Sequence, residues 1–204
     1  MLGPLTDTIQ GVVNFTWPML IISTVIMVSV RLTYLLKEKQ KVVIYKELLM
    51  LCFAIYILCL FQVVTFQDDV TWSSNNFIPF KEILRYNITS RLFIKNVLGN
   101  MIMFLPFGFF TSYYLKSEEK LLPLLLTVIA SISIELVQLA IGRVFDVDDI
   151  ILNIVGGLLG YYIYAILREV GERLPNFLKN ELFLNILSVL VFGGLIFTII
   201  IVFI

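Results

Sequence analysis

The run LLPLLLTVIASISIELVQLAI, residues 121–141, decides the fold class of this chain, and it carries a single charge, that of Glu135. A helix of about 20 apolar residues just crosses the hydrocarbon core of a bilayer. Lipid offers the backbone no water, so a crossing segment is either a helix or part of a closed barrel. Because the run is continuous rather than alternating, it predicts a transmembrane helix.

The remainder of the chain repeats this pattern. Of its 204 residues, 59% are hydrophobic and 15% are charged, whereas soluble domains are about half apolar and a quarter charged. The charges cluster, and long uncharged runs separate them. We therefore predict an all-α, polytopic bundle of about six transmembrane helices, at residues 11–36, 48–66, 96–115, 121–141, 150–167 and 182–204.

The basic residues predict an orientation, because cytoplasmic loops of membrane proteins are enriched in Lys and Arg. If the N-terminus is outside, ten of the 15 basic residues fall on the inner side. We therefore expect both termini outside, with the polar loops 67–95 and 142–149 facing the exterior.

The composition also bears on function. The 15 basic and 15 acidic residues give a net charge of zero, and nothing in the chain suggests a nucleic-acid partner. There is no histidine, which removes the commonest general base and the commonest metal ligand. We predict no cofactor, no resident metal and no catalytic residue, and we favour a protein that is not an enzyme.

Polar side chains lie near the predicted outer ends of spans three, four and five. Glu135 and Gln138 are three residues apart and share a helix face. Acidic residues within a span are costly and usually face the bundle interior or a wet cavity. Consecutive helices joined by short turns are usually neighbours. We therefore predict one ligand-binding site, made of Asn96, Asn100, Glu135, Gln138, Arg143, Asp146, Asp149 and Asn153.

Two interpretations of this set stay open. It is either an internally satisfied polar plug that fixes the register of the helices, or a pocket that faces lipid head groups. Arg143 is the basic residue nearest the outer end of span four, and we expect it to pair with Glu135, Asp146 or Asp149.

Two structural predictions accompany the site. Asp148 or Asp149 can cap the start of span five, because carboxylates accept hydrogen bonds from the free N–H groups of a helix N-terminus. Gly156, Gly157 and Gly160 give span five a surface of small residues, which predicts close contact with a neighbouring helix.

The ordered motifs of residues 48–167 resemble those of the VanZ-like family of bacterial membrane proteins. In chain order they are Asn-x2-Pro-Phe, which begins at residue 76, and Asn-x3-Asn-x3-Phe-x-Pro-x-Gly, which begins at residue 96. Glu-x2-Gln begins at residue 135, and Arg-x2-Asp-x2-Asp-x3-Asn-x2-Gly begins at residue 143. The residues that carry the resemblance are Asn76, Pro79, Phe80, Asn96, Asn100, Phe104, Pro106, Gly108, Glu135, Gln138, Arg143, Asp146, Asp149, Asn153 and Gly156.

The resemblance implies a domain organisation and a setting. Residues 48–167 would form a VanZ-like core of four helices. Residues 1–47 would add an N-terminal helix and a basic cytoplasmic loop, and residues 168–204 a cytoplasmic linker and a C-terminal helix. The family's namesake is associated with low-level resistance to teicoplanin, a lipoglycopeptide, so the resemblance implies a multi-pass protein of the bacterial plasma membrane.

Three functions remain open. The first is binding of an amphiphilic or lipid-linked ligand at the outer leaflet, with membrane lipids and a lipoglycopeptide or lipid-linked cell-wall precursor as partners. The second is a membrane-embedded enzyme that acts on an envelope lipid through Glu135 and Asp146 or Asp149, or through a divalent cation that these acids hold. The third is a lipid transporter or scramblase.

Overall fold

The computed structural model describes residues 3–65, 75–87 and 90–203, with side chains described between residues 17 and 198 of those ranges. All the regular elements within these ranges are helical, which confirms the predicted all-α class. They are α1 (Gly3–Lys37), α2 (Ile44–Thr65), α3 (Lys81–Arg85), a π-helical turn (Phe93–Leu98), α4 (Gly99–Leu115), α5 (Leu121–Ala140), α6 (Val147–Arg173) and α7 (Glu181–Phe203).

The described part of the chain has six helices that are long and apolar enough to cross a membrane, which confirms the prediction of a multi-pass protein. The orientation of the termini stays a prediction. The crossing segments are Trp17–Lys37, Ile44–Thr65, Phe93–Leu115, Leu121–Ala140, Val147–Arg173 and Glu181–Thr198.

Several helix boundaries differ from the sequence-based ones, and α1 and α2 begin at Gly3 and Ile44 rather than at residues 11 and 48. The third crossing segment begins at Phe93 because a π-helical turn precedes α4, so the predicted loop 67–95 ends before it. Part of that loop, residues 67–74 with 88 and 89, lies outside the described residues. α6 extends beyond the predicted 150–167 at both ends. The predicted bounds stopped at charged residues, whereas the helix includes Asp148 and Asp149 in its first turn and Arg173 in its last.

The described residues fall into two compact units, and the predicted site lies in the unit that contains residues 57–167. Glycines set the packing of its helices. A Cβ atom on Gly108 of α4 would lie 1.9 Å from the carbonyl oxygen of Gly157 on α6, and one on Gly157 would lie 2.5 Å from Oγ1 of Thr127 on α5. The backbones of α4 and α6 therefore meet at Gly157, and the side chain of Thr127 of α5 packs against the same glycine, which confirms the predicted close helix contact.

The other unit contains residues 18–56 and the chain from residue 168 onward. Arg31 of α1 forms a bidentate ion pair with Glu47 of α2, at 2.8 and 3.0 Å. The backbone N–H of Tyr45 donates to Oδ1 of Asn185 at 3.0 Å, which joins the starts of α2 and α7.

Candidate functional site

Glu135 is the centre of the predicted site. It lies in the second-last turn of α5 and is 1% exposed. Its Oε2 accepts a hydrogen bond of 2.9 Å from the backbone N–H of Asp146, in the turn that leads to α6. A buried carboxylate is costly unless donors satisfy it. This contact therefore stabilises Glu135 and also fixes the turn on the end of α5.

Gln138 and Arg143 extend the network toward α2. The amide of Gln138 satisfies both of its ends when its nitrogen faces Oε1 of Glu135, at 3.1 Å, and its oxygen faces Nη1 of Arg143, at 3.0 Å. The same Nη1 donates to the carbonyl oxygen of Val64 at 2.6 Å. Val64 belongs to the last turn of α2, whose carbonyls have no partner within the helix. Arg143 therefore joins the end of α2 to Glu135 through Gln138.

Asp146 caps α6. Its Oδ1 accepts from the backbone N–H of Asp148 at 2.9 Å and from Nδ2 of Asn76 at 2.8 Å. The first of these bonds satisfies a free N–H at the start of the helix. Burial raises the pKa of Asp146 above its usual value, although the hydrogen bonds from Asn76 and from the N–H of Asp148 act in the opposite direction. The cap is therefore an acid whose charged form the fold disfavours.

Asp148 has a different role from the predicted one. Asp148 or Asp149 was expected to cap the start of α6, but the side chain of Asp148 turns away from its own helix and is fully buried. It accepts backbone N–H groups from Phe80, from Glu82 at 2.7 Å and from Ile83 at 3.1 Å. Asp148 therefore holds the short helix α3 and the turn before it.

Residues 75–86, which we call the tethered segment, are bound to the turn before α6. The backbone N–H of Asn76 donates to the carbonyl of Phe145 at 2.8 Å, and the N–H of Val147 donates to the carbonyl of Asn76 at 3.0 Å. These two bonds form a short parallel bridge between Asn76 and Asp146. Together with Asp148, the bridge fixes the tethered segment against the site.

The remaining predicted residues form three separate contacts. Nδ2 of Asn100 donates to Oδ1 of Asp149, which joins α4 to α6. Nδ2 of Asn153 donates to Oγ of Ser131 at 3.0 Å, which joins α6 to α5. Asn96 donates to the hydroxyl of Tyr86 at 2.9 Å and so binds the tethered segment. The structure therefore gathers the eight residues at one end of the unit, although Asn96 reaches the others through the tethered segment.

The site holds more negative than positive side chains. Four acids, Glu135, Asp146, Asp148 and Asp149, belong to it, and Arg143 interacts electrostatically with Glu135 and Asp149. Within the described residues, no group of three or more Asp, Glu, Cys or His side chains is arranged to hold a metal ion. Glu135 and Asp146 meet through a backbone N–H rather than through their two carboxyl groups, which is not the geometry of a carboxyl pair that shares a proton.

An apolar groove adjoins this acidic site. It has a volume of about 210 Å³, and it runs between α2 and α5. The side chain of Val64 lines the groove, while the carbonyl of the same residue binds Arg143. On α5, Val137 lines the groove next to Gln138. The acidic site and the apolar groove are therefore adjacent in two places, at Val64 of α2 and at residues 137 and 138 of α5.

The family assignment agrees with this geometry. The model of the VanZ/LLP1 family matches residues 53–168, which is more than half of the chain. This chain belongs to the VanZ/LLP1 family. The matched range contains the whole acidic site and the groove, and it confirms the resemblance predicted from the motifs. Neither the curated proteins nor the solved structures that were searched include a match.

Sequence reasoning missed two residues of this VanZ/LLP1 site. Asp148 was considered only as a helix cap, and Asn76 only as part of a family motif, yet both are buried. Asn76 binds Asp146 in the turn before α6, and Asp148 binds the backbone of α3. A signal for Asn76 was present, because the motif Asn-x2-Pro-Phe occurs in the loop before the other motifs. Nothing in the spacing indicates that Asp148 turns toward a segment 65 to 68 residues away.

Proposed function

We propose that this VanZ/LLP1 protein binds an amphiphilic ligand at the outer leaflet of the bacterial plasma membrane. The head group of the ligand, with cationic or hydroxyl groups, binds the acids around Glu135 and Asp149. Its apolar chain lies in the groove between α2 and α5. A lipoglycopeptide and a lipid-linked cell-wall precursor both have this division into a polar head and an apolar chain.

The observation that supports the proposal best is the adjacency of the acidic site and the groove at Val64. An amphiphile needs polar partners and an apolar surface within a few ångströms of each other, and ligand sites combine apolar walls with a few placed polar groups. The excess of four acids over one guanidinium favours a head group with positive charge or hydrogen-bond donors, since a buried carboxylate is stabilised by such partners.

The acidic residues would differ in their availability to a ligand. Asp148 already accepts three backbone N–H groups, and Asp146 accepts two donors. Asp149 is half-buried and accepts a hydrogen bond from Asn100. We therefore assign the direct head-group contact to Asp149, with Glu135 behind it.

The test is a binding titration with purified protein in lipid nanodiscs. Fluorescent teicoplanin and a lipid-linked cell-wall precursor are titrated separately, which distinguishes the two sources of the same chemistry. We expect Glu135→Gln and Asp149→Asn to weaken binding of one of them at least tenfold, which corresponds to about 1.4 kcal/mol. Glu169→Gln is the matched control, since Glu169 is an exposed acid paired with Arg173 outside the site.

A groove variant separates the two halves of the proposal. Val137→Ser places a hydroxyl group in the groove without changing a charge, and it should weaken binding of acylated ligands more than that of deacylated ones. If neither ligand binds the wild-type protein, or if Glu135→Gln and Glu169→Gln bind equally well, the proposal is wrong.

A phenotype follows from the resemblance to the family's namesake. Expression of the chain in a teicoplanin-sensitive Gram-positive host should raise the minimal inhibitory concentration of teicoplanin, because the protein reduces access of the drug to its target. The Glu135→Gln variant, expressed at an equal level in the membrane, should not raise it.

A further inference from the structure

The tethered segment, residues 75–86, lies outside the six crossing segments and yet exposes large apolar side chains. Leu84 is 81% exposed, and Phe77, Ile78 and Phe80 are each more than half exposed. Exposed apolar side chains occur singly on most protein surfaces, but several together mark an interaction site. Phe77 also stacks on Phe145 of the same chain, yet it stays 68% exposed. Four such side chains within eight residues therefore indicate an interaction surface.

Polar contacts prevent these side chains from turning inward. On one side of the tethered segment, Asn76 pairs with the turn before α6, and Asp148 accepts the N–H groups of Phe80, Glu82 and Ile83. Phe80 has a φ of 65°, in the left-handed region, which fixes the chain direction ahead of α3. The polar side is thus occupied by the acidic site, and the apolar side chains are held on the surface.

The position of the tethered segment identifies the partner. In sequence it lies between α2 and the π-helical turn before α4, and it is bound to the turn before α6, so it lies next to the start of a crossing segment. The crossing helices also expose apolar side chains, for example Ile102 of α4. Lys81 and Arg85 stand beside them. Aromatic and aliphatic side chains next to basic ones are typical of a membrane interface.

We infer that the tethered segment is inserted into the head-group region of the phospholipid bilayer, with Phe77, Ile78, Phe80 and Leu84 in contact with lipid chains. The tethered segment then covers the acidic site. Its outer side contacts lipid, and its inner side carries Asn76 and the backbone N–H groups that donate to Asp148. This inference does not depend on the proposed ligand, because it concerns the contact between the protein and its own bilayer.

The test compares neighbouring positions of the same short helix by spin labelling. Cys52→Ser and Cys59→Ser remove the two native thiols, which are free. Leu84→Cys and Arg85→Cys are then labelled in vesicles of phosphatidylcholine and phosphatidylglycerol. Both side chains are highly exposed in the structure, so the comparison tests which medium, lipid or water, surrounds each of them.

We expect the label at Leu84 to be relaxed by oxygen and protected from a water-soluble nickel chelate, and the label at Arg85 to show the reverse. The ratio of the two accessibilities should differ severalfold between the positions. Equal exposure to nickel at both positions would overturn the inference, and so would protection of the Leu84 label from both reagents, which would mean that protein covers it. If Leu84→Cys fails to fold, the pair Ile78→Cys and Lys81→Cys decides in the same way.

Discussion

The backbone N–H of Asp146 donates to Oε2 of Glu135 at 2.9 Å, so the turn before α6 is anchored on a carboxylate of α5. The carboxyl group of Asp146 in turn caps α6 and binds Asn76 of the tethered segment. One acidic side chain within a membrane helix therefore organises a turn, a helix start and a loop. Replacing Glu135 should therefore change the stability of residues that it does not contact directly.

The first prediction concerns the stability contributed by Glu135. Glu135→Ala leaves the N–H of Asp146 and the amide nitrogen of Gln138 without their acceptor, and an unsatisfied buried donor costs about 1 to 3 kcal/mol. We expect the melting temperature in detergent micelles to fall accordingly. Glu135→Gln retains one acceptor oxygen and should cost less. A melting temperature of Glu135→Ala equal to that of the wild type would contradict the observed network.

The second prediction concerns Asp148 and the tethered segment. Asp148→Asn replaces one of two acceptor oxygens by a donor, so the three N–H groups of Phe80, Glu82 and Ile83 can no longer all be satisfied. Hydrogen–deuterium exchange should then accelerate in peptides that cover residues 80–83 and stay unchanged in α5. Glu82→Gln is the control, because its side chain pairs with Arg85 at the surface. Equal exchange in the two variants would count against the role of Asp148.

The third prediction concerns the crossing of α4 and α6. A Cβ on Gly108 would meet the backbone oxygen of Gly157 at 1.9 Å, so Gly108→Ala forces the helices apart. Overpacking of this kind costs about 1 to 3 kcal/mol, and the free energy of unfolding should fall by that amount. Gly171→Ala is the matched control within α6, since a Cβ there meets no atom within 4 Å. It should be neutral or stabilising, because alanine favours helix.

The fourth prediction concerns pH. Burial raises the pKa of Asp146 above the usual 3.8, so the folded protein binds this proton more tightly than the unfolded chain does. Its contribution to stability is therefore largest below pH 3.8 and is lost as the pH rises through the raised pKa. Asp146→Asn keeps an acceptor oxygen for Asn76 and Asp148 but cannot ionise.

The measurement is the melting temperature of wild type and Asp146→Asn between pH values below 3.8 and neutral pH. The difference should grow in favour of the Asn variant as the pH rises through that interval and then become constant. A difference that shrinks with rising pH would have the wrong sign, and a constant one would mean that Asp146 does not titrate differently in the folded protein.

Much of the candidate site was predictable from the sequence. Glu135 and Gln138 share a helix face, and so do Asp149 and Asn153, and the cost of polar groups in lipid directs such faces inward. Ser131, one turn before Glu135, receives Asn153 from α6. The partner of Arg143 was harder to predict, because its guanidinium donates to the backbone carbonyl of Val64, which lies 79 residues away.

The sequence by itself predicted the six helices, within the described residues, that are long and apolar enough to cross a membrane, because in lipid a long uncharged run can satisfy its backbone hydrogen bonds only within its own helix. It also indicated that Glu135 and Gln138, and Asp149 and Asn153, share helix faces that turn inward. Only the tertiary structure decided that Asp148 binds the tethered segment while Asp146 caps α6. Each carboxyl group accepts whatever N–H groups the fold brings within 3 Å or so, and that proximity depends on loop geometry that no local spacing encodes.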